Sequence, residues 1–150
     1  MTLANRLYTD LHQAMRGGDT IRVSTIRLAR AAIHNTEIER GRPLSDDEIT
    51  EVLGREVKHR REAIDAYTKG KREDLVKKES LELAVLTEYL PVPLTEGELR
   101  TIIATAVSEV QAKDARDVGR VMAVVMPKVK GRVDGKAVDR LVRALLGGSA

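Results

Sequence analysis

The side chains best suited to chemistry in this sequence are the Lys and Arg residues of its last third, and the chemistry that they suit is the binding of anions. Residues 112–150 carry nine Lys and Arg against four Asp, a net charge of +5, whereas residues 43–111 carry −5 and residues 1–42 carry +3. No aromatic residue lies in this basic segment. Long flexible cations without aromatic neighbours favour contacts to phosphate groups over stacking on bases. The segment is therefore predicted to bind a polyanion.

Helical spacing arranges part of this charge into one stripe. Successive helical residues turn by about 100°, so Lys136, Arg140 and Arg143 share one face. The opposite face is predicted to enter the core through Val138, Leu141, Val142 and Leu145. A purely solvated helix face is the alternative interpretation of the stripe. The predicted nucleic-acid-binding residues are Arg120, Lys128, Lys130, Arg132, Lys136, Arg140 and Arg143.

The start of the last helix is a second predicted anion site. Asp134 is a good N-cap, and the free amide groups that follow it suit an anion. Gly135 is expected to let a phosphate group approach closely. Residues 131–137 look faintly like a nucleotide-binding loop, but their glycines are four residues apart and Ala137 lacks the hydroxyl group that binds magnesium. Nucleotide hydrolysis is therefore not predicted.

No catalytic, cofactor-binding or metal-binding residue is predicted. The sequence has no Cys, which excludes thiolate nucleophiles and cysteine-based metal sites. His12, His34 and His59 have no other His three or four residues away, so none is predicted to bind a metal. The carboxylates lie mostly at helix starts or four residues from a cation, as in Glu56 and Arg60, which is typical of surface pairs.

Composition and periodicity predict an all-α protein. The apolar fraction is 42%, with no Phe, no Trp and three Tyr, so the core is predicted to be aliphatic. Capping boxes are predicted at Ser45–Glu48 and Thr95–Glu98. Gly119 inside a helix is attributed to the close approach of another helix, and Pro127 is expected to kink or end its helix. The predicted helices span about residues 2–16, 20–40, 46–69, 72–89, 96–111, 115–129 and 135–146.

Two prolines divide these helices into two predicted domains. Pro91 and Pro93 remove backbone donors and prevent a helix from passing through. The prediction is an N-terminal four-helix domain over residues 1–90 and a C-terminal three-helix domain over residues 94–150. Residues 147–150 are expected to form a frayed tail.

Several of these segments resemble the GatB/YqeY family. Residues 69–79, 88–91 and 94–99 are similar to the stand-alone YqeY-like proteins, and so are residues 118–122 and 126–136. The last two segments also resemble, more loosely, the C-terminal tail of the B subunit of glutamine-dependent aminoacyl-tRNA amidotransferase. The resemblance implies an all-helical protein and a C-terminal domain that contacts the tRNA body. Family-level carbon–nitrogen ligase activity, with glutamine as amido donor, would be inherited from the larger enzyme.

With this resemblance, the sequence predicts a small helical tRNA-binding module related to tRNA-dependent amidation, which is not expected to catalyse that reaction alone. The alternative is a protein–protein adaptor that uses the basic face, and an enzyme of carbon–nitrogen bond formation is a third hypothesis. A protein partner is expected at the acidic N-terminal helices, while Arg22, Arg27 and Arg30 are candidates to extend the basic surface. A charged chain without Cys favours the cytoplasm. No apolar run approaches the ~20 residues of a membrane span.

Overall fold

The computed structural model of the protein describes residues 1–147, and the rest of the predicted frayed tail lies outside the described residues. Helices and their connections account for all of the described chain, and none of it forms a strand, so the all-α prediction is confirmed. A single 3-10 turn, Ala115–Asp117, precedes α6. The α-helices are α1 Leu3–Gly17, α2 Thr20–Arg40, α3 Asp46–Lys69, α4 Glu73–Thr87, α5 Glu96–Val110, α6 Val118–Val129 and α7 Gly135–Leu145.

The chain divides into two compact units, Met1–Leu90 and Pro91–Ala150. The first unit contains α1 to α4, and the second contains α5 to α7. Each unit has its own cluster of buried apolar side chains, so each is described below by itself.

Side-chain caps begin most of these helices. Ser45 Oγ accepts from the amide of Glu48, and the Glu48 carboxylate accepts from the amide of Ser45, as the predicted capping box requires. The second predicted box forms only in part. Thr95 Oγ1 accepts from the amide of Glu98, but the Glu98 carboxylate lies 3.9 Å from the guanidinium group of Arg132.

The core of the first unit is mostly aliphatic, and it includes one buried arginine that contacts two carboxylates. Leu7, Ile26, Leu53 and Leu86 are each 0–1% exposed. The guanidinium group of Arg60 on α3 contacts the carboxylates of α4, and Arg60 is itself only 8% exposed.

The second unit has a core made mainly of valine. Six of its buried side chains are valines on α6 and α7, and α6 contacts both α5 and α7. Valine has a short side chain with one preferred χ1 rotamer in a helix. These helices can therefore approach closely, and burying their valines costs little side-chain entropy. The six residues are Val118, Val121, Val125, Val129, Val138 and Val142.

Two details differ from the sequence-based expectation. Leu145 is 42% exposed, whereas Leu146 is 7% exposed, because Leu146 continues the four-residue spacing of the buried Val138 and Val142 and its amide still donates to the Val142 carbonyl oxygen. Gly119 is exposed, and a Cβ atom there would meet nothing within 4 Å, so close helix packing does not explain it. Pro127 lies inside α6, two residues before the helix ends at Val129, the end that the sequence predicts.

Candidate nucleic-acid interface

Helix α7 presents the basic stripe that its spacing predicts. Asp134 accepts a hydrogen bond from the amide of Lys136 and fixes where the helix begins. Val138 and Val142 are fully buried, which sets the rotation of the helix. Lys136, Arg140 and Arg143 consequently lie on its exposed side.

The three cations of the stripe differ in their partners. Arg143 Nε donates to Asp139 Oδ2 at 2.9 Å, one helical turn away, so its charge is largely compensated. Neither Lys136 nor Arg140 has a carboxylate or hydrogen-bonding partner for its side chain within the part of the chain that the structure describes. These two side chains are therefore the uncompensated cations of α7.

Arg132 joins the loop before α7 to the Pro-rich segment before α5 through hydrogen bonds. Its Nε donates to the carbonyl oxygen of Val92 at 2.9 Å, and its own carbonyl oxygen accepts from the amide of Leu94 at 3.0 Å. The preceding Gly131 has a φ of 79°, a left-handed conformation that glycine adopts without strain. The loop before α7 thus depends on Gly131 for its turn and directs the Arg132 side chain toward the Pro-rich segment.

Two cations of α6 are engaged with residues at the end of α5 or just before α6. Arg120 lies 3.2 Å from Asp117 and also donates to the carbonyl oxygen of Val110. Lys128 Nζ lies 3.8 Å from Glu109. Of the seven predicted binding residues, the structure therefore places Lys136 and Arg140 on one exposed face without carboxylate partners among the described residues, and gives Arg120, Lys128, Arg132 and Arg143 partners within the same unit. Lys130 is exposed at the end of α6.

Acidic residues just before α6 lower the positive potential at the start of that helix. The backbone amide of Lys113, with help from Arg120, holds the pKa of Asp117 below its ordinary value. The Arg116 guanidinium group holds the pKa of Asp114 below its ordinary value through a hydrogen bond at 2.9 Å. Both carboxylates are therefore ionised at neutral pH and offset Arg116 and Arg120.

The predicted anion site at the start of α7 is less open than expected. The Asp134 carboxylate already accepts from one of the free amides. The methyl group of Met126 lies 3.7 Å from the position that a Cβ atom of Gly135 would occupy, so the space beside this glycine is taken. The side chains of α7, rather than its first amides, are the better anion ligands.

Two of the family-like positions, Glu88 and Tyr89, hold the first unit together. Glu88 forms two hydrogen bonds with Arg22, at 2.7 and 3.1 Å, and this contact holds the pKa of Glu88 below its ordinary value. The Tyr89 hydroxyl group donates to Asp10, and the Arg6 guanidinium group stacks 4.5 Å from the ring centre. Burial raises the pKa of Tyr89. Arg22 is consequently compensated and adds little to a basic surface.

A buried ion cluster is the feature that sequence reasoning missed. Arg60 was expected to pair with Glu56 on its own helix, but its guanidinium group contacts Glu79 at 3.1 Å and Glu82 on α4. Because these partners lie 19 and 22 residues away, helical spacing could not reveal them. The long Arg and Glu side chains at apolar-face positions of α3 and α4 were the available signal.

Within residues 1–147, no group of three or more His, Asp or Glu side chains has an arrangement suited to a metal ion. No helix in the same range is both long and apolar enough to span a membrane. Among the described residues, the candidate site therefore consists of cationic side chains.

Comparison with known proteins identifies relatives of two kinds. "Altered inheritance of mitochondria protein 41, mitochondrial" from Pyrenophora tritici-repentis is 32% identical over 95% of this chain and 80% of its own length. The protein of the same name from Eremothecium gossypii is 37% identical over 61% of this chain and 51% of its own length. A glutamyl-tRNA(Gln) amidotransferase subunit of Saccharolobus solfataricus is 39% identical over 39% of this chain and 9% of its own length.

The names of these relatives contradict one prediction. Those covering most of this chain are named as mitochondrial proteins, so the predicted cytoplasmic location is wrong. The inference failed because the absence of Cys excludes disulfides but does not distinguish one compartment from another.

The amidotransferase relative supports the relationship to GatB-type subunits that the sequence segments suggested. The family model for the Yqey-like proteins matches residues 4–146, which includes all seven helices apart from the first residue of α1. The chain belongs to the Yqey-like protein family.

Proposed function

We propose that the protein is a small helical tRNA-binding module whose C-terminal unit contacts the phosphate backbone through α7. The observation that carries this proposal is the pair Lys136 and Arg140, exposed on one face and without carboxylate partners among the described residues. The relationship to a subunit of a glutamyl-tRNA(Gln) amidotransferase supports tRNA as the polyanion.

The chemistry of this face favours phosphate contacts over base recognition. Lys136 and Arg140 are four residues apart, so their Cβ atoms lie roughly 6 Å apart on the helix. Two such cations suit neighbouring phosphate groups of a folded RNA, and no aromatic side chain of this unit is available for stacking. Recognition would then depend on the shape of the RNA rather than on its sequence.

The proposed role in tRNA-dependent amidation is positional. Carbon–nitrogen ligase activity with glutamine as amido donor would belong to a larger enzyme, and this chain would contribute a contact to the tRNA. We assign no catalytic residue to it. Release of ammonia from glutamine by the purified chain alone would contradict this assignment.

Fluorescence anisotropy with bulk tRNA over a series of salt concentrations tests the proposal. We expect affinity to fall steeply with salt, because each phosphate contact releases counterions. The double variant Lys136→Ala/Arg140→Ala should bind about tenfold more weakly at low salt and should lower the slope of log K against log salt by about 2.

A matched control separates a specific contact from net charge. The variant Arg116→Ala/Arg143→Ala removes the same two positive charges, but both arginines are paired with aspartates. It should change the affinity less than about threefold, since both guanidinium groups are already bonded to aspartates rather than free to contact phosphate. Equal losses in the two double variants, or no binding of the unmodified protein at low salt, would contradict the proposal. A protein partner retained after RNase treatment would instead favour the adaptor alternative.

A further inference from the structure

The cations of the first 42 residues are all arginines, and they divide into two groups. The first lysine of the chain is Lys58. Four of the seven arginines have carboxylate partners, which are Asp10 for Arg6, Glu88 for Arg22, and Glu48 for both Arg40 and Arg42. Arg16, Arg27 and Arg30 have no carboxylate partner within the described part of the chain.

Each of these three arginines contacts a residue of α1. Arg30 lies with its guanidinium carbon 5.4 Å from the centre of the Tyr8 ring. The Tyr8 ring in turn contacts the His12 ring edge-on, at 4.4 Å between centres. Tyr8 is 53% exposed, so much of its ring remains accessible.

The other two arginines contact residues nearer the end of α1. Arg16 Nε donates to the carbonyl oxygen of His12 at 3.4 Å. Arg27 Nη2 lies 3.9 Å from the sulfur atom of Met15, the residue next to Arg16. We call Tyr8, His12, Arg16, Arg27 and Arg30 the arginine–tyrosine face.

An open groove adjoins this face. It has a volume of about 640 Å³ and is lined by Met15, Val23 and Leu28, with Arg27 beside them. A concave apolar surface beside a guanidinium group can hold a flat ring while the cation contacts a phosphate group. The groove is therefore suited to a nucleotide whose base is not stacked in a duplex.

We infer that the arginine–tyrosine face is a second RNA-binding surface, which takes unpaired nucleotides of a loop or end. The inference rests on the proposed function in taking RNA as the partner, but its residues are all different from those of α7. Arginine binds phosphate with two donors and stacks on flat rings, whereas lysine does neither as well. An accessible tyrosine ring provides the stacking surface that α7 lacks.

The same observations favour RNA over a lipid surface or an acidic protein. Met15 and Leu28 are the exposed large apolar side chains at this groove, 48% and 53% exposed, and two such residues make a smaller apolar face than insertion into lipid needs. The guanidinium group of Arg30 is held over an aromatic ring, an arrangement that a stacked base would extend. Three cations without carboxylate partners among the described residues, of which Arg30 lies beside the Tyr8 ring, match the repeated charge of a phosphodiester chain.

The test compares a 12-nucleotide oligouridine with an RNA duplex of the same length, using the full chain and fluorescence anisotropy. The variant Arg16→Ala/Arg27→Ala/Arg30→Ala should bind the oligouridine at least tenfold more weakly. Its slope of log K against log salt should be shallower by about 2, since each contact to a single strand contributes about 0.7. Tyr8→Ala should weaken oligouridine binding about fivefold, while Tyr8→Phe should stay within twofold of the unmodified protein because its ring can still stack.

Two controls keep the inference separate from the proposed function. Arg40→Ala removes a charge from the same helix, but this arginine is paired with Glu48, so oligouridine binding should change less than twofold. Lys136→Ala/Arg140→Ala should weaken duplex and tRNA binding while leaving oligouridine binding within twofold. Circular dichroism checks that each variant keeps its helices.

Each contrary result has a distinct meaning. If the protein binds tRNA but the triple arginine variant binds oligouridine as well as the unmodified protein does, this inference is overturned and the proposed function stands. If the unmodified protein binds no RNA at low salt, both are overturned. Binding to phosphatidylglycerol vesicles but not to oligouridine, lost in the triple variant, would overturn the inference in favour of a lipid surface.

Discussion

The two units of the protein use their charged residues differently. In the first unit, ion pairs join separate parts of the chain, as Arg22 joins Glu88 and Arg60 joins Glu79 and Glu82. In the second unit, several pairs are local, such as Arg116 with Asp114 and Arg143 with Asp139. Charge therefore helps to hold the first unit together.

Apolar packing has the corresponding role in the second unit. Six valines of α6 and α7 are buried there, and Lys136 and Arg140 remain outside with no partner among the described residues. A unit held together by small aliphatic side chains can leave cations uncompensated for a ligand. In both units, cations bonded to distant residues stabilise the fold, as Arg22 and Arg132 do, whereas cations without carboxylate partners among the described residues are available for binding.

Removing the buried arginine should have the largest effect on stability. Arg60→Ala would leave Glu82, which is 4% exposed, without its cation, and we expect a loss of about 3–5 kcal/mol. Urea denaturation of the full chain measures this change. The exposed neighbour Arg61 provides the control, since Arg61→Ala should stay within about 0.5 kcal/mol. A loss below about 1 kcal/mol for Arg60→Ala would show that the buried pair does not hold α3 and α4 together.

Truncating a buried valine tests how much the valine core contributes to the stability of the second unit. Val121 is fully buried, and Val121→Ala should lower the free energy of unfolding by about 2 kcal/mol through lost burial and the resulting cavity. Val92→Ala makes the same chemical change at a side chain that is 76% exposed and should have almost no effect. Similar urea midpoints for the two variants would argue against a valine-based core.

The cap of α7 should matter less than its core. Asp134→Ala removes the acceptor for the Lys136 amide and should cost about 1 kcal/mol. Asp134→Asn keeps an acceptor and should retain most of that stability. Hydrogen exchange at the first amides of α7 reports the local change. Equal protection in the two variants would mean that the cap does not fix this end of the helix.

The exposed pair between Arg22 and Glu88 should have the smallest effect, and it should depend on pH. The pKa of Glu88 is lowered on folding from its ordinary value of 4.5, so its stabilising contribution is present above that value and is lost as the pH falls through the folded-state pKa. Glu88→Gln should therefore reduce stability by up to about 1 kcal/mol at pH 7, with the difference shrinking below pH 4. A difference that grows in acid would reverse the assigned sign.

Sequence alone was sufficient for the features that are local in the chain. The helix from Thr20 to Arg40, the Ser45–Glu48 capping box and the Asp134 cap follow from short patterns whose physics lies within a few residues. The face of α7 followed from its spacing for the same reason. Such features need no knowledge of the tertiary fold.

The rest depended on contacts between residues distant in the chain. Nothing near Arg132 indicates that it donates to Val92, forty residues away, and nothing near Glu98 indicates that its carboxylate faces Arg132. A count of cations therefore overstated the basic surface, because partners elsewhere in the fold decide which charges are compensated. Gly119 shows the opposite error. Another helix was expected to pack closely against it, but a Cβ atom added there would meet nothing within 4 Å.

The bonds between the loop before α7 and the Pro-rich segment have a consequence for dissecting the chain. Val92 and Leu94 precede α5, yet the Val92 carbonyl group and the Leu94 amide both bond to Arg132, far along the chain in the same unit. A fragment that starts at Thr95, where the first cap lies, would discard both bonds and leave the Arg132 carbonyl group and side chain without these partners. Expression fragments of this unit should begin at Pro91, because the residues before its first helix are bonded to the loop before its last helix.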